Sequence, residues 1–145
     1  MKFFEITGDL FDMPEEYYFA HCISGDYALG AGIAKTFATK MNMKYELFKN
    51  FPIPLGTGSA NVGKALLIGK VFNLVTKSRC FQKPTYDTIY ETLIDMKKQC
   101  VEKEIKYLAM PLIGCGLDRC DWDKVRNLIK KVFEDTDIEI VICKL

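Results

Sequence analysis

Two rhythms of apolar and polar residues alternate along this chain. One is the short, continuous apolar run of a buried strand; the other is the three-and-four spacing of a helix with one buried face. Lys2 to Asp9 is a strand candidate rich in Phe and Ile, and Tyr17 to Ser24 is a second, more continuously apolar one. Gly30-Ala31-Gly32 opens a helical stretch reaching about Met43, with Ile33, Ala34, Phe37 and Met41 on one side. Tyr45 to Phe51 reads as a short helical continuation. Pro52, Pro54, Gly56, Gly58 and Gly63 then break the pattern. Ala65 to Ile68 and Val71 to Thr76 are apolar, β-branched runs around Gly69-Lys70, the signature of a hairpin or bent strand pair.

The second half continues the alternation. After Pro84-Thr85, the residues Tyr86, Ile89, Tyr90, Leu93, Met96, Cys100 and Val101 recur at helical spacing and predict a long helix. Tyr107 to Ile113 reads as a buried strand. Asp121 is placed to cap a helix whose core face is Val125, Leu128, Ile129, Val132 and Phe133, and Ile138 to Leu145 closes as a strand. Strands alternating with helices predict an α/β fold with a mostly parallel or mixed central sheet. In such sheets ligands sit at the carboxyl ends of strands, which singles out the loops after Ser24, Thr76 and Ile113.

Composition narrows the function classes. The 145 residues suit one domain, expected to span 1–145, and 20 basic residues nearly balance 19 acidic ones. That balance argues against a general electrostatic grip on nucleic acid while leaving room for a local basic pocket. No charge-free apolar run approaches the ~18–20 residues of a membrane span, so no membrane partner is expected. The opening Met1-Lys2-Phe3-Phe4-Glu5 lacks a signal-peptide layout; the expected location is cytoplasmic and the expected state monomeric. Six cysteines, none in a C-x-x-C pair, suit reduced thiols. His21 is the only histidine, and Cys115 with Cys120 the only close cysteine pair, so the ligand set of a zinc site is lacking and no metal is expected.

Three glycine-bearing stretches are candidates for chemistry. "GDYALGAGIAKTF", Gly25 to Phe37, lets backbone amides approach an anion at a helix start, or simply turns the chain. Lys35 stands where a dinucleotide fingerprint needs its last glycine, so a standard NAD site is not expected. "GSANVGKA", Gly58 to Ala65, mimics a P-loop, but Ala65 replaces the magnesium-binding hydroxyl and a strand, not a helix, follows. "PLIGCGLD", Pro111 to Asp118, runs a strand into a glycine turn that is either a tight connection or an anion nest. Lys77 ends the strand "VFNLVT"; a lysine in a partly desolvated cleft can serve as a nucleophile toward a carbonyl-like carbon.

Taken in order, "ITGDLF", "AHCIS", "LGAGIAKTF", "VTK", "KPTY" and "MPLIGCGLD" resemble the macrodomain family, and more narrowly its terminal ADP-ribose protein glycohydrolase subgroup. The resemblance implies a three-layer α/β/α fold with a mixed central sheet that binds ADP-ribose. It implies that Asp9 accepts from the adenine amino group, with Leu10 beside the base. Ser24 and the stretch Gly30, Ala31, Gly32 and Ile33 would line the distal ribose and one side of the diphosphate. Ile113, Gly114, Cys115, Gly116 and Leu117 would form the other wall, with Thr76 also at the ligand. Lys77 and Asp118 match the subgroup's catalytic pair. The asparagine-rich stretch of other macrodomain hydrolases is replaced here by His21, Cys22, Ile23 and Ser24, which favours the lysine-based chemistry. The implied partners are ADP-ribose and ADP-ribosylated proteins, with ADP-ribosylated nucleic acid as a further class, and no cofactor. A reader module that binds ADP-ribose without cleaving it is the alternative, and an unrelated nucleotide-binding or scaffold domain a third reading.

Overall fold

A computed structural model describes residues 1–54 and 58–145. Gly56, within the predicted break, lies outside the described residues. Among the described residues, six strands and four helices form in the order β1 (Lys2–Thr7), β2 (Tyr18–Ser24), α1 (Gly32–Met41), α2 (Met43–Asn50), β3 (Ala65–Ile68), β4 (Val71–Lys77), α3 (Tyr86–Glu102), β5 (Tyr107–Met110), α4 (Trp122–Phe133) and β6 (Glu139–Lys144). The strands make one sheet, ordered β1-β6-β5-β2-β4-β3. All neighbours are parallel except the β3–β4 hairpin. The sheet is therefore mixed, and two separate apolar clusters pack its faces. One includes Ile89, Leu93 and Met96 of α3 with Val125, Ile129 and Phe133 of α4. The other includes Phe37 of α1 and Met43 and Leu47 of α2. With both faces covered, β4 is buried at every residue but Lys77.

The boundaries follow local chemistry. Thr85 caps α3 through a capping box with Thr88, each side chain accepting from the other's backbone amide. Asp121 caps α4 by accepting from the Asp123 amide. Asn42 adopts a left-handed conformation (φ 52°) and separates α1 from α2, so the helical stretch predicted through Met43 stops at Met41. The first strand ends at Thr7 rather than Asp9, because Asp9 accepts from the Phe11 amide and starts a 3-10 turn, Leu10–Asp12.

Two features of register open a site. β5 pairs β2 at only Tyr18–Leu108 and Phe19–Ala109. Beyond that point the two strands part, so residues 111–113, predicted as strand, run outside the sheet. β2 and β4 stay paired to Ser24–Lys77, with a register irregularity at Ile23/Ser24. Strands that splay at their carboxyl ends leave the crevice in which α/β folds hold ligands.

Candidate functional site

A cavity of about 410 Å³ opens there, within the usual size of small-molecule sites. Its lining takes in Ser24, Gly30, Ala31, Gly32, Ile33, Lys77, Ile113, Gly114, Cys115, Gly116, Leu117 and Asp118. Three other residues singled out from the sequence stand elsewhere. Thr76 is buried, its carbonyl accepting from the Thr88 hydroxyl at 2.7 Å, and is not part of the lining. Consecutive strand residues face opposite sides, so a wall containing Lys77 turns Thr76 toward α3. Leu10 is packed into the cluster beneath α1. Asp9 is exposed outside the lining, close enough to Cys143, which lines the cavity, that its charge adds to burial in raising that thiol.

The two glycine walls differ in construction. On one side α1 begins at Gly32 with Ala31 as its N-cap, in extended conformation and with no side-chain hydrogen bond. Amides of the first helical turn lack intrahelical partners, and the helix dipole adds positive potential there. Tyr27 (φ 54°), Leu29 (φ 42°) and Gly32 (φ 60°) carry the loop through left-handed conformations. Tyr27 holds that strained path in place: fully buried, it donates to the Phe51 carbonyl and accepts from Asn61 Nδ2, each at 2.8 Å. On the other side Gly114 takes φ 73°, and a Cβ there would meet Ile89 at 3.3 Å.

Asp26 carried no distinct signal in the sequence, yet it ties this region together. It accepts from the Ser24 hydroxyl at 2.5 Å, from Ala28 N at 3.2 Å and from Cys80 N at 2.9 Å. Burial pushes its carboxyl upward, but these donors outweigh burial and hold it below the usual carboxylate range. One charged group thus joins the loop after β2 to the loop after β4. The backbones meet so closely that a Cβ on Gly25 would fall 1.7 Å from the Gly58 carbonyl oxygen.

Lys77 Nζ and Asp118 Oδ1 lie 2.6 Å apart, with side chains 13% and 16% exposed. Lys77 ends β4 and Asp118 lies in the connection after β5, 41 positions apart in sequence. The thiols of Cys22 and Cys115 line the same cavity. Burial, reinforced by the Asp118 charge, pushes Cys22 up to about 12. Burial likewise takes Cys115 up to about 11. Both remain neutral thiols near pH 7, and the thiolate is the reactive form. Among the described residues no group of His, Cys, Asp and Glu side chains could hold a metal ion. His21 lies outside the cavity lining, fully buried, with Nε2 2.6 Å from Asn73 Oδ1 on β4.

The sequence profile of the Macro domain matches residues 21–129. The chain belongs to the macrodomain family. It is 40% identical over 141 residues to the ADP-ribose glycohydrolase OARD1 of Homo sapiens, covering 97% of this chain and 90% of that protein. The Bos taurus protein of the same name is 39% identical over the same shares. Among solved structures, the macrodomain of Mycobacterium tuberculosis DarG superposes with a TM-score of 0.81 at 21% identity, over 97% of this chain and 96% of that one. Thermosipho africanus DarTG, solved in complex with ADP-ribose, superposes at 0.81 with 17% identity over 99% of this macrodomain and 42% of that chain. These structural likenesses establish the three-layer fold; the curated relatives speak to the subgroup.

Proposed function

We propose that this macrodomain is an ADP-ribose hydrolase that removes mono-ADP-ribose from acyl-linked glutamate or aspartate sites on proteins. The single observation that carries the reading is the Lys77–Asp118 pair at 2.6 Å, set in the cavity with little exposure. Binding alone needs neither residue, and partly buried ion pairs are weak contributors to stability. The glycohydrolase name of the curated relatives supports the same direction. O-acyl-ADP-ribose and ADP-ribosylated nucleobases share the ADP-ribosyl group and differ in what leaves, so the reading extends to them.

The diphosphate lies between the uncapped start of α1 and the turn at Gly114, where amides offset its charge. That placement brings C1″ of the distal ribose to Lys77. Asp118 takes a proton from Nζ, and the amine so freed forms a bond to C1″ while the C1″–O bond to the acyl group breaks, its electron pair leaving with the carboxylate. Water then adds at C1″ as the C–N bond breaks and its electron pair returns to Nζ; the proton lost by the water passes to Nζ, Asp118 gives its proton to solvent, and ADP-ribose is released.

The test incubates a glutamate-linked mono-ADP-ribosyl peptide with wild type, Lys77→Ala and Asp118→Ala, and measures released ADP-ribose by mass spectrometry. Lys77→Ala is expected to lose turnover by at least ~10³-fold while retaining ADP-ribose binding by calorimetry. Asp118→Ala is expected to lose turnover and accumulate protein heavier by one ADP-ribosyl group. Unchanged release by Lys77→Ala removes the lysine from the mechanism. Binding without release by wild type moves the assignment to the reader module.

A further inference from the structure

Three large apolar side chains in the described structure are more than three-quarters exposed: Leu145 at 99%, Phe81 at 82% and Leu117 at 76%. Scattered exposed apolar residues are ordinary. Leu117 and Leu145 line the cavity, and Phe81 directly follows Cys80, which also lines it. Phe81 and Leu117 both sit in turns that are tied down. In the turn 79–82, Gln82 N donates to the Arg79 carbonyl at 3.1 Å and Arg79 N donates back to Gln82 Oε1 at 2.9 Å. Cys80 N is held at 2.9 Å by Asp26. In the turn 116–119, Arg119 N donates to the Gly116 carbonyl at 3.2 Å, and Cys120 N to the Gly114 carbonyl at 2.8 Å. Each turn thus holds an exposed hydrocarbon side chain on a segment that adjoins the cavity lining. Phe81 lies four residues after Lys77, and Leu117 immediately precedes Asp118.

We propose that Phe81 and Leu117 are specificity-determining lips that take the hydrocarbon flank of the acyl group leaving from the distal ribose. The inference rests on the hydrolase reading above. With the ADP-ribosyl part in the cavity and C1″ at Lys77, the leaving group projects outward past these two turns. Neither lip side chain carries a donor or acceptor, so they discriminate leaving groups by apolar area and not by charge. Covering a Phe side chain against substrate changes catalytic efficiency by about tenfold.

Two ADP-ribose esters at the distal ribose separate the possibilities, one acetyl and one cyclohexylacetyl, whose acids are similar in strength. Wild type is expected to show the higher kcat/KM on the cyclohexylacetyl ester. Phe81→Ser should lose about tenfold on that ester and less than about twofold on the acetyl ester, with the Kd for ADP-ribose and the Tm unchanged. Phe81→Leu should recover most of the loss. Equal effects of Phe81→Ser on both esters, or none on the bulky one, overturn the proposal while leaving the hydrolase reading intact. Failure of wild type to cleave either ester overturns the hydrolase reading and the lips with it.

Discussion

Acidifying this macrodomain from about pH 7.5 to about pH 5 probes what burial does to His21. The ring is fully buried between β4 and α1, its centroid 4.2 Å from that of Phe37 at a tilt of 35°, and bonded through Nε2 to Asn73. Burial lowers its pKa to about 4, against the opposing pull of the Asn73 hydrogen bond. The unfolded chain holds an ordinary histidine near ~6.5. Between those two values the unfolded state binds a proton that the native state does not, so stability falls as pH falls. The contribution is fully present above about pH 6.5 and is lost progressively toward pH 4. A difference of that size amounts to roughly 3 kcal/mol over the whole window, and about 2 kcal/mol of it falls between about pH 7.5 and 5.

His21 is the only histidine, so that window belongs to it. Glu5 and Asp26 titrate lower: burial pushes both upward, but Arg126 and Trp122 around Glu5, and Ser24 and two amides around Asp26, hold both below the usual range. Their stabilising contributions are therefore lost beneath the histidine window. Urea unfolding at several pH values gives the slope, and one-dimensional NMR follows the single imidazole directly. Stability should fall by about 2 kcal/mol between about pH 7.5 and 5, while the native imidazole resonances stay fixed. His21→Gln should abolish the slope. A loss under about 0.5 kcal/mol, native imidazole resonances that titrate near pH 6.5, or an equal slope in His21→Gln refutes the reasoning.

Two further substitutions probe the scaffold of the cavity. Asp26→Ala removes the acceptor shared by Ser24, Ala28 and Cys80; it should weaken ADP-ribose binding by about tenfold in calorimetry, equivalent to ~1.4 kcal/mol, and an unchanged Kd counts against its positioning role. Gly25→Ala places a methyl 1.7 Å from the Gly58 carbonyl oxygen; it should cost about 1–3 kcal/mol in urea unfolding and weaken ADP-ribose binding, whereas wild-type stability would show that the two loops part freely.

The helices on the α3/α4 face were legible because their apolar positions repeat at helical spacing and their caps are local: Thr85 meets Thr88 and Asp121 meets Asp123 within three residues. Boundaries set by distant partners were not. Nothing near Pro111 tells that β5 leaves the sheet at Met110, since that depends on where β2 diverges. Asn42 interrupts a helical pattern whose apolar spacing runs on regardless. At the site, the glycine loops announced themselves, but the bond between Lys77 and Asp118 spans 41 positions and became an expectation only through the family resemblance. Asp26 looked like any acid in a turn because its farthest donor, Cys80 N, lies 54 positions away. Thr76 is different: strand alternation beside Lys77 already separates the two side chains onto opposite faces.

The ion pair in the cavity is hard to explain as a structural element. Lys77 ends β4, and its backbone is already fixed by its carbonyl accepting from Gly25 N at 2.7 Å. Asp118 sits inside the turn closed by Gly116 and Arg119, which needs no side chain to form. Withdrawing both charges from water carries a desolvation cost that their attraction need not repay, and the fold gains no cap or strand contact from them. The surroundings make sense for chemistry instead. Burial raises the thiols of Cys22 and Cys115, which line the same cavity and stay neutral near pH 7. Uncapped amides at the start of α1 face the same cavity. The Asp26 network couples the loop leading to α1 to the loop following Lys77, so one carboxylate ties together the two segments that flank the cavity. A pair that adds little to folding, held at 2.6 Å in the same cavity as the uncapped start of α1, is the arrangement expected where binding energy from a diphosphate is used to bring a sugar carbon to a lysine.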